Sequence, residues 1–192
     1  MSFIFQSLGR TLLAGVIILA LLLFFVGNGL TNGAAHVVGM RWLHVVCGMM
    51  WVGLLWYFNF VQIPAMPKIP DEQKPAISQV IAPAALFWFR WSALATVVTG
   101  LSVAQANHYL VQALTLTGSV RTIGIGMWLA LVMAFNVWFI IWPNQKKALG
   151  MVVVDAVEKA KAARMAMLTS RFNTMLSVAM LYCMVAQQNG GL

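Results

Sequence analysis

The feature that most constrains this chain is a polar stripe inside an apolar segment. Residues 41–62, RWLHVVCGMMWVGLLWYFNFVQ, are long and apolar enough to cross a bilayer as a helix. At the helical step of about 100° per residue, its polar side chains share one face roughly 80° wide. The residues on that face are Arg41, His44, Gly48, Trp51, Leu55, Asn59 and Gln62. Because polar groups are costly against lipid, we expect this face to meet protein, a ligand or water.

The composition indicates a membrane protein. Hydrophobic residues make up 61% of the chain and charged residues 8%, against roughly 45–50% and 25% in soluble domains. Prolines at 64 and 143 are predicted to end two of the apolar segments, and residues 107–120 are predicted to be a polar connection. The predicted membrane spans are residues 11–30, 37–63, 82–106, 122–142 and 165–188.

These spans predict an all-α integral membrane protein of about five transmembrane helices. Residues 1–35 are expected to provide an N-terminal anchoring helix and a short outer loop. Residues 36–192 are expected to hold the last four helices as a compact bundle.

The basic residues predict the orientation of the chain. Arg41 and Arg121 lie on one predicted side of the membrane, and eight basic residues lie in loops on the other. The larger group marks the cytoplasmic side, which places the N-terminus inside and the C-terminus outside. The net charge of +8 therefore indicates contact with anionic lipids rather than with nucleic acid. The larger group is Arg10, Lys68, Lys74, Lys146, Lys147, Lys159, Lys161 and Arg164.

The acidic residues and cysteines exclude several kinds of site. The four acidic residues are all in predicted cytoplasmic loops. No carboxylate therefore lies inside a predicted span, which argues against a carboxylate proton relay, a di-iron site or a glycosidase acid pair. Cys47 and Cys183 lie inside predicted spans, and neither belongs to a CxxC or CxxCH motif. A covalent c-type haem is therefore not expected.

His44 is the main candidate for chemistry. Its imidazole could bind a b-type haem or copper, relay a proton, or form a hydrogen bond to a neighbouring helix. Residue type alone favours the hydrogen bond. A metal would need a further ligand, and no sequence spacing pairs His36, His108 or a methionine with His44.

Two arginines inside predicted spans, Arg90 and Arg171, have no carboxylate near them in sequence. They could contact helix-end carbonyls, an anionic lipid headgroup or an acidic group of a cofactor, such as a haem propionate. Together with Arg41 and His44 they form the predicted cofactor-binding set.

Four further polar residues lie deep in predicted spans. We predict that Asn59, Asn136, Asn173 and Ser177 form hydrogen bonds between helices. Each such bond is worth about 0.6–2 kcal/mol inside a membrane protein.

Several segments together resemble a known family. They are RWLHVVCGMMWVG at 41–53, WFRWSALATVVTG at 88–100, NVWFIIWPNQKK at 136–147 and SRFNTMLSV at 170–178. Their order resembles the membrane domain of the bacterial urate hydroxylase family, also described as membrane-bound urate oxidase N-terminal, over about residues 40–180. This chain resembles a shortened form without the cytochrome c domain. The resemblance implies a bacterial inner membrane location and a helical frame carrying His44, Arg41, Trp51, Arg90 and Asn136.

Two functions follow as expectations. The first is a small integral membrane subunit of a larger bioenergetic or oxidase-type complex, with a structural or cofactor-supporting role. The alternative is a membrane redox protein that binds haem or metal through His44 and is related to urate-oxidising membrane enzymes. The expected partners are membrane lipids and other membrane-protein subunits, and no catalytic residue is assigned to the isolated chain.

Overall fold

The computed structural model of the chain describes residues 2–26 and 34–191, which are mostly helical and contain no strand. The chain divides into two compact units, Met1–Gly39 and Met40–Leu192. The first unit contains α1 (Ser2–Phe5) and α2 (Leu8–Val26). In this unit Arg10 donates from Nη1 to the Phe3 carbonyl at 3.2 Å. The large apolar side chains of α2 are mostly exposed, as expected for a helix that faces lipid.

The second unit is built from long helices that run back and forth. The helix α3 (Ala34–Trp56) starts in the first unit and continues into the second. After it come the π-helical segment π1 (Tyr57–Gln62), α4 (Ile63–Ala65) and a 3-10 turn at Met66–Lys68. The later elements are π2 (Ala76–Ile81), α5 (Ala82–Ala106), α6 (Leu110–Leu114), a 3-10 turn at Gly118–Val120, α7 (Arg121–Phe135), π3 (Asn136–Ile141), α8 (Trp142–Ala148), α9 (Ala156–Ala186) and a 3-10 turn at Gln187–Asn189.

The core of the second unit lies where α3, α5, α7 and α9 meet. Its largest fully buried side chains include Trp51 from α3 and Phe89 from α5. α9 packs along α7, π3 and α8, and its buried face is formed mostly by small and polar residues that allow close approach. The buried apolar cluster consists of Trp51, Val52, Leu55, Phe58, Leu86, Phe89, Ala93, Met133, Val137, Ile141 and Met180.

The prediction that prolines end two spans was wrong. Pro64 and Pro143 each follow a π-helical segment, and in both cases the helix continues, to Lys68 and to Ala148. The residue before each proline bonds to the carbonyl five positions back, as in Trp142 N–H to Val137 O. Because proline has no N–H and its ring crowds the preceding turn, a wider π turn lets the helix pass through it. The same arrangement occurs at π2, before Pro83.

The all-α prediction is confirmed for the described residues, and four of the five predicted membrane spans have counterparts in the structure. Four helical stretches are long and apolar enough to cross a membrane: Leu8–Phe25, Ala35–Lys68, Ala76–Ala106 and Gly118–Ala148. The fifth predicted span lies within α9, which is not among these four because charged and polar residues lower its hydropathy. The predicted polar connection at 107–120 contains the short helix α6.

Candidate functional site

A cavity of about 700 Å³ lies within the second unit, bordered by α3, α5, α7 and α9. This volume is in the range of roughly 300–1,000 Å³ that is typical of small-molecule sites. Most of the lining side chains are apolar, and four of them are methionines: Met49, Met127, Met180 and Met184. The few polar lining residues include Arg41, His44, Tyr109, Gln187 and Gln188.

His44 lines this cavity in a defined tautomer. Its Nδ1 lies 2.9 Å from the Thr96 carbonyl oxygen and 3.3 Å from Thr99 Oγ1. Because a carbonyl can only accept, Nδ1 carries the proton, and Nε2 is the basic nitrogen of the neutral ring. The Thr99 hydroxyl itself donates to the Ala95 carbonyl at 2.6 Å. Within residues 34–191, Nε2 forms no hydrogen bond to protein.

Gly100 on α5 makes room for the imidazole. A Cβ at this position would lie 2.8 Å from His44 Cε1 and 3.2 Å from Nδ1, closer than side-chain carbons approach one another. At Gly48, on the same helix as His44, the nearest atom to an added Cβ would be Thr96 Cγ2 at an ordinary 3.7 Å. The glycine of the VVTG sequence is therefore a packing requirement of the histidine.

Trp51 adds an unpaired donor to the cavity wall. Its side chain is fully buried, it lines the cavity, and its Nε1 has no acceptor among the described residues. By contrast, Trp56 also lines the cavity but donates to Ser177 Oγ at 3.0 Å. Trp51 was not in the predicted site. Its position on the polar stripe, two turns after His44, could have identified it as a site residue. Tryptophan in a membrane span usually has a packing role, so residue type did not favour that prediction.

A cation lies at the edge of the cavity beside a phenol. Arg41 is exposed, and Tyr109 is half-buried at the start of α6. Burial raises the pKa of the Tyr109 phenol, and the positive charge of Arg41 acts in the opposite direction. Arg41 therefore provides a positive charge near an otherwise apolar space.

The other half of the second unit, around π1 and π3, contains polar residues that mostly bond to one another or to α9. Asn136 Nδ2 donates to Asn173 Oδ1 at 2.8 Å, and Asn173 Nδ2 donates to the Met133 carbonyl at 2.9 Å. Asn59 Nδ2 donates to Ser170 Oγ at 2.8 Å. These bonds and the Trp56–Ser177 bond connect α9 to π3, π1 and α3. Three further buried atoms there have no protein partner among the described residues: Asn59 Oδ1, Gln62 Oε1 and Trp138 Nε1.

The structure does not bring the whole predicted cofactor-binding set together. Arg41 and His44 line the cavity, whereas Arg90 and Arg171 do not. Arg90 Cζ lies 3.7 Å from the centroid of the Trp142 ring, and Arg171 is exposed on α9.

The metal assignment of His44 stays a prediction. In the part of the chain that the structure describes, no three His, Cys, Asp or Glu side chains group into a metal site. His36 belongs to the first unit, and His108 is exposed in the turn after α5.

Residues 108–190 match the family model described as urate oxidase N-terminal. This segment, less than half of the chain, is similar to the urate oxidase N-terminal family. The resemblance predicted from the sequence is thereby confirmed for the matched part, which contains Asn136 and Asn173 and one wall of the cavity. His44 and Trp51 lie before the part that matches the urate oxidase N-terminal family. No curated protein and no solved structure matches the chain.

Proposed function

We propose that this chain is a small membrane subunit that holds a redox cofactor, a b-type haem, in the 700 Å³ cavity through His44. One observation carries the proposal. His44 lines the cavity, and its Nδ1 donates to a backbone carbonyl. Its basic Nε2 has no protein partner among the described residues. Metal-ligating histidines typically donate their other ring N–H to a carbonyl or carboxylate, which fixes the tautomer and orients the ring.

The residues around the cavity fit a haem. The walls are largely apolar, which suits the faces of a macrocycle. Arg41 provides a cation for acidic groups, and the lining methionines are soft donors that can complete the coordination of a metal. When bound, a haem supplies one-electron redox chemistry. His44 would hold its metal, the Thr96 carbonyl would keep Nε2 basic, and Arg41 would orient the acidic edge.

Copper is the second candidate cofactor. An imidazole beside several thioether sulfurs is a donor set that favours Cu(I). The same residues, His44 with Met49, Met127, Met180 or Met184, would then provide the ligands. Haem is preferred because the cavity is much larger than a single ion requires.

The setting that we propose is a larger complex in a bacterial inner membrane, with the N-terminus in the cytoplasm. Four helical stretches suited to the membrane support the membrane location. Exposed aromatic side chains such as Trp88, Trp91 and Phe139 offer surface to lipids or to other subunits. The urate oxidase N-terminal match supports a relation to urate-oxidising membrane enzymes.

The test is the absorption spectrum of the full-length protein, expressed with a haem precursor and purified in a mild detergent. We expect a Soret band that His44→Ala reduces about tenfold or more, as loss of the ligand to a metal would. The matched control is His108→Ala, an exposed histidine outside the cavity, which should keep the wild-type band.

Two results would change the proposal. A wild-type protein with no Soret band that also fails to bind added hemin would rule out the haem. Stoichiometric copper that disappears in His44→Ala would assign the site to copper instead. Native electrophoresis of the same extract tests the subunit role, since a band only at the mass of this chain would contradict it.

A further inference from the structure

One indole ring that does not line the cavity, that of Trp142, is in contact with two cations. The Arg90 guanidinium carbon lies 3.7 Å from the centroid of the Trp142 ring. The Lys146 ammonium lies 5.6 Å from the same centroid. Arg90 is also 5.6 Å from the Phe87 ring. Cation–π interaction attracts each cation to the ring, but it does not cancel the electrostatic repulsion between the two positive charges.

Neither of these cations has an anion in the described part of the chain. The ion pairs there are Lys74 with Asp71 and Lys147 with Glu158, at 2.6 and 2.7 Å. The guanidinium of Arg90, which is half-buried, donates no hydrogen bond to protein within residues 34–191. Its five N–H donors are therefore available to a single acceptor group. A phosphate is suited to this position because guanidinium binds it with two parallel hydrogen bonds.

The helix geometry explains why these groups meet. π3 places one extra residue in the turn before Trp142, which rotates this side chain by about 100° relative to a regular α-helix. Lys146 follows four residues later on α8 and therefore lies on the same face as Trp142. The rotation caused by the π turn thus directs both residues toward Arg90 on α5.

An exposed aromatic surface continues from the cation pair. Phe87 lies 6.3 Å from Trp91, and Trp91 lies 5.3 Å from Trp138, between ring centroids. Phe87 and Trp91 are each 46% exposed, so this surface is open to acyl chains. A phosphate held beside an apolar surface of this kind is a feature of a phospholipid rather than of a free ion.

We propose that Arg90, Lys146 and Trp142 form a site for the phosphate group of an anionic phospholipid. Arg90 and Lys146 bind the headgroup, and the surface of Phe87 and Trp91 contacts the acyl chains. Anionic lipids are the usual partners of basic residues at the cytoplasmic surface. The site is independent of His44 and of the cofactor proposal.

The test is native mass spectrometry of the full-length protein in detergent with equal amounts of dioleoyl phosphatidylglycerol and dioleoyl phosphatidylcholine. We expect the wild-type protein to prefer phosphatidylglycerol. Arg90→Gln and Lys146→Gln should each reduce that preference about fivefold, the effect of one cation at an anionic lipid. Arg171→Gln is the matched control, since Arg171 is an exposed arginine with no ring contact among the described residues. It should leave the preference within about twofold of the wild type.

Further variants keep the test decisive if Arg90→Gln folds poorly. Arg90→Lys retains the charge but loses the two parallel hydrogen bonds, so its preference should lie between those of the wild type and Arg90→Gln. Trp142→Leu removes the shared ring and should also reduce the preference. Equal losses in Arg171→Gln and Arg90→Gln would overturn the proposal, because any surface charge would then be sufficient. Displacement of phosphatidylglycerol by excess inorganic phosphate would also overturn it and assign the site to a free phosphate.

Discussion

The second unit has two halves, one around π1 and π3 and one around the cavity. Both contain buried polar groups of similar kinds, but the surroundings of these groups and their hydrogen-bond partners differ. Around π1 and π3, Asn136 and Asn59 donate to side chains of α9, as in the Asn136–Asn173 bond of 2.8 Å, while the unpaired atoms there, Asn59 Oδ1, Gln62 Oε1 and Trp138 Nε1, lie on residues that do not line the cavity. Around the cavity, His44 Nε2 and Trp51 Nε1 have no protein partner among the described residues. Buried polar groups that the protein itself satisfies stabilise and specify the fold. Unsatisfied groups beside open space are available to a ligand.

The largest expected effect concerns the half in which the polar groups are paired. Asn173 is fully buried, and Asn173→Ala leaves Asn136 Nδ2 without its partner and removes one of the two bonds to the Met133 carbonyl, which still accepts from the Asn136 backbone N–H. We expect it to lower the free energy of unfolding by about 2 kcal/mol, the sum of two intramembrane hydrogen bonds. Unfolding by denaturing detergent measures this loss.

The matched control for that prediction is Asn107→Ala. Asn107 Nδ2 bonds only to the Val103 carbonyl of its own helix, so its loss should be much smaller. Folded Asn173→Ala protein should also bind added hemin as the wild type does. Equal losses in both variants, or a loss of hemin binding at the temperature where Asn173→Ala is folded, would contradict the division into two halves.

The cavity half is expected to respond in the opposite way. Gly100→Ala places a methyl group 2.8 Å from His44 Cε1, so the imidazole must move. We expect hemin affinity to fall about tenfold, which is about 1.4 kcal/mol, with a smaller change in the free energy of unfolding. Gly48→Ala is the control, because its new methyl group meets Thr96 Cγ2 at 3.7 Å and displaces nothing. A hemin titration that gives the same affinity for both variants would show that the position of His44 does not determine binding.

A smaller effect is expected at Trp51. If its indole N–H donates to the bound molecule, Trp51→Phe should weaken hemin affinity about fivefold, or about 1 kcal/mol for one hydrogen bond. Two controls separate this effect from packing. Trp56→Phe removes a cavity-lining indole that is already bonded to Ser177, and Trp138→Phe removes an unpaired indole that does not line the cavity. An affinity loss in Trp138→Phe equal to that in Trp51→Phe would show that the cavity position is irrelevant.

Residue types and spacing were sufficient to predict the helical class and the polar stripe of α3. They were not sufficient for the features that depend on contacts between helices. Whether a helix continues through Pro143 depends on the turn before it, and hydropathy does not report that turn. Arg90 was predicted to contact a helix-end carbonyl, an anionic lipid headgroup or an acidic group of a cofactor, because no carboxylate lies near it in sequence. Its contact with Trp142 depends on the rotation produced by π3, which no local pattern shows.

The smallest expected effect tests whether proline produces this rotation. Pro143→Ala restores an N–H at position 143 and permits a regular α-helical turn in place of π3. Trp142 should then rotate away from Arg90, with a change in the free energy of unfolding of less than about 1 kcal/mol. The coupling energy between Arg90 and Trp142, from a double-mutant cycle with Arg90→Gln and Trp142→Leu, should fall from about 0.5–1 kcal/mol toward zero. Pro64→Ala is the control, because it removes the proline after π1 and should leave that coupling unchanged. A coupling that persists in Pro143→Ala would mean that packing of α9 against π3 causes the wide turn. The proline would then be compatible with this turn without producing it.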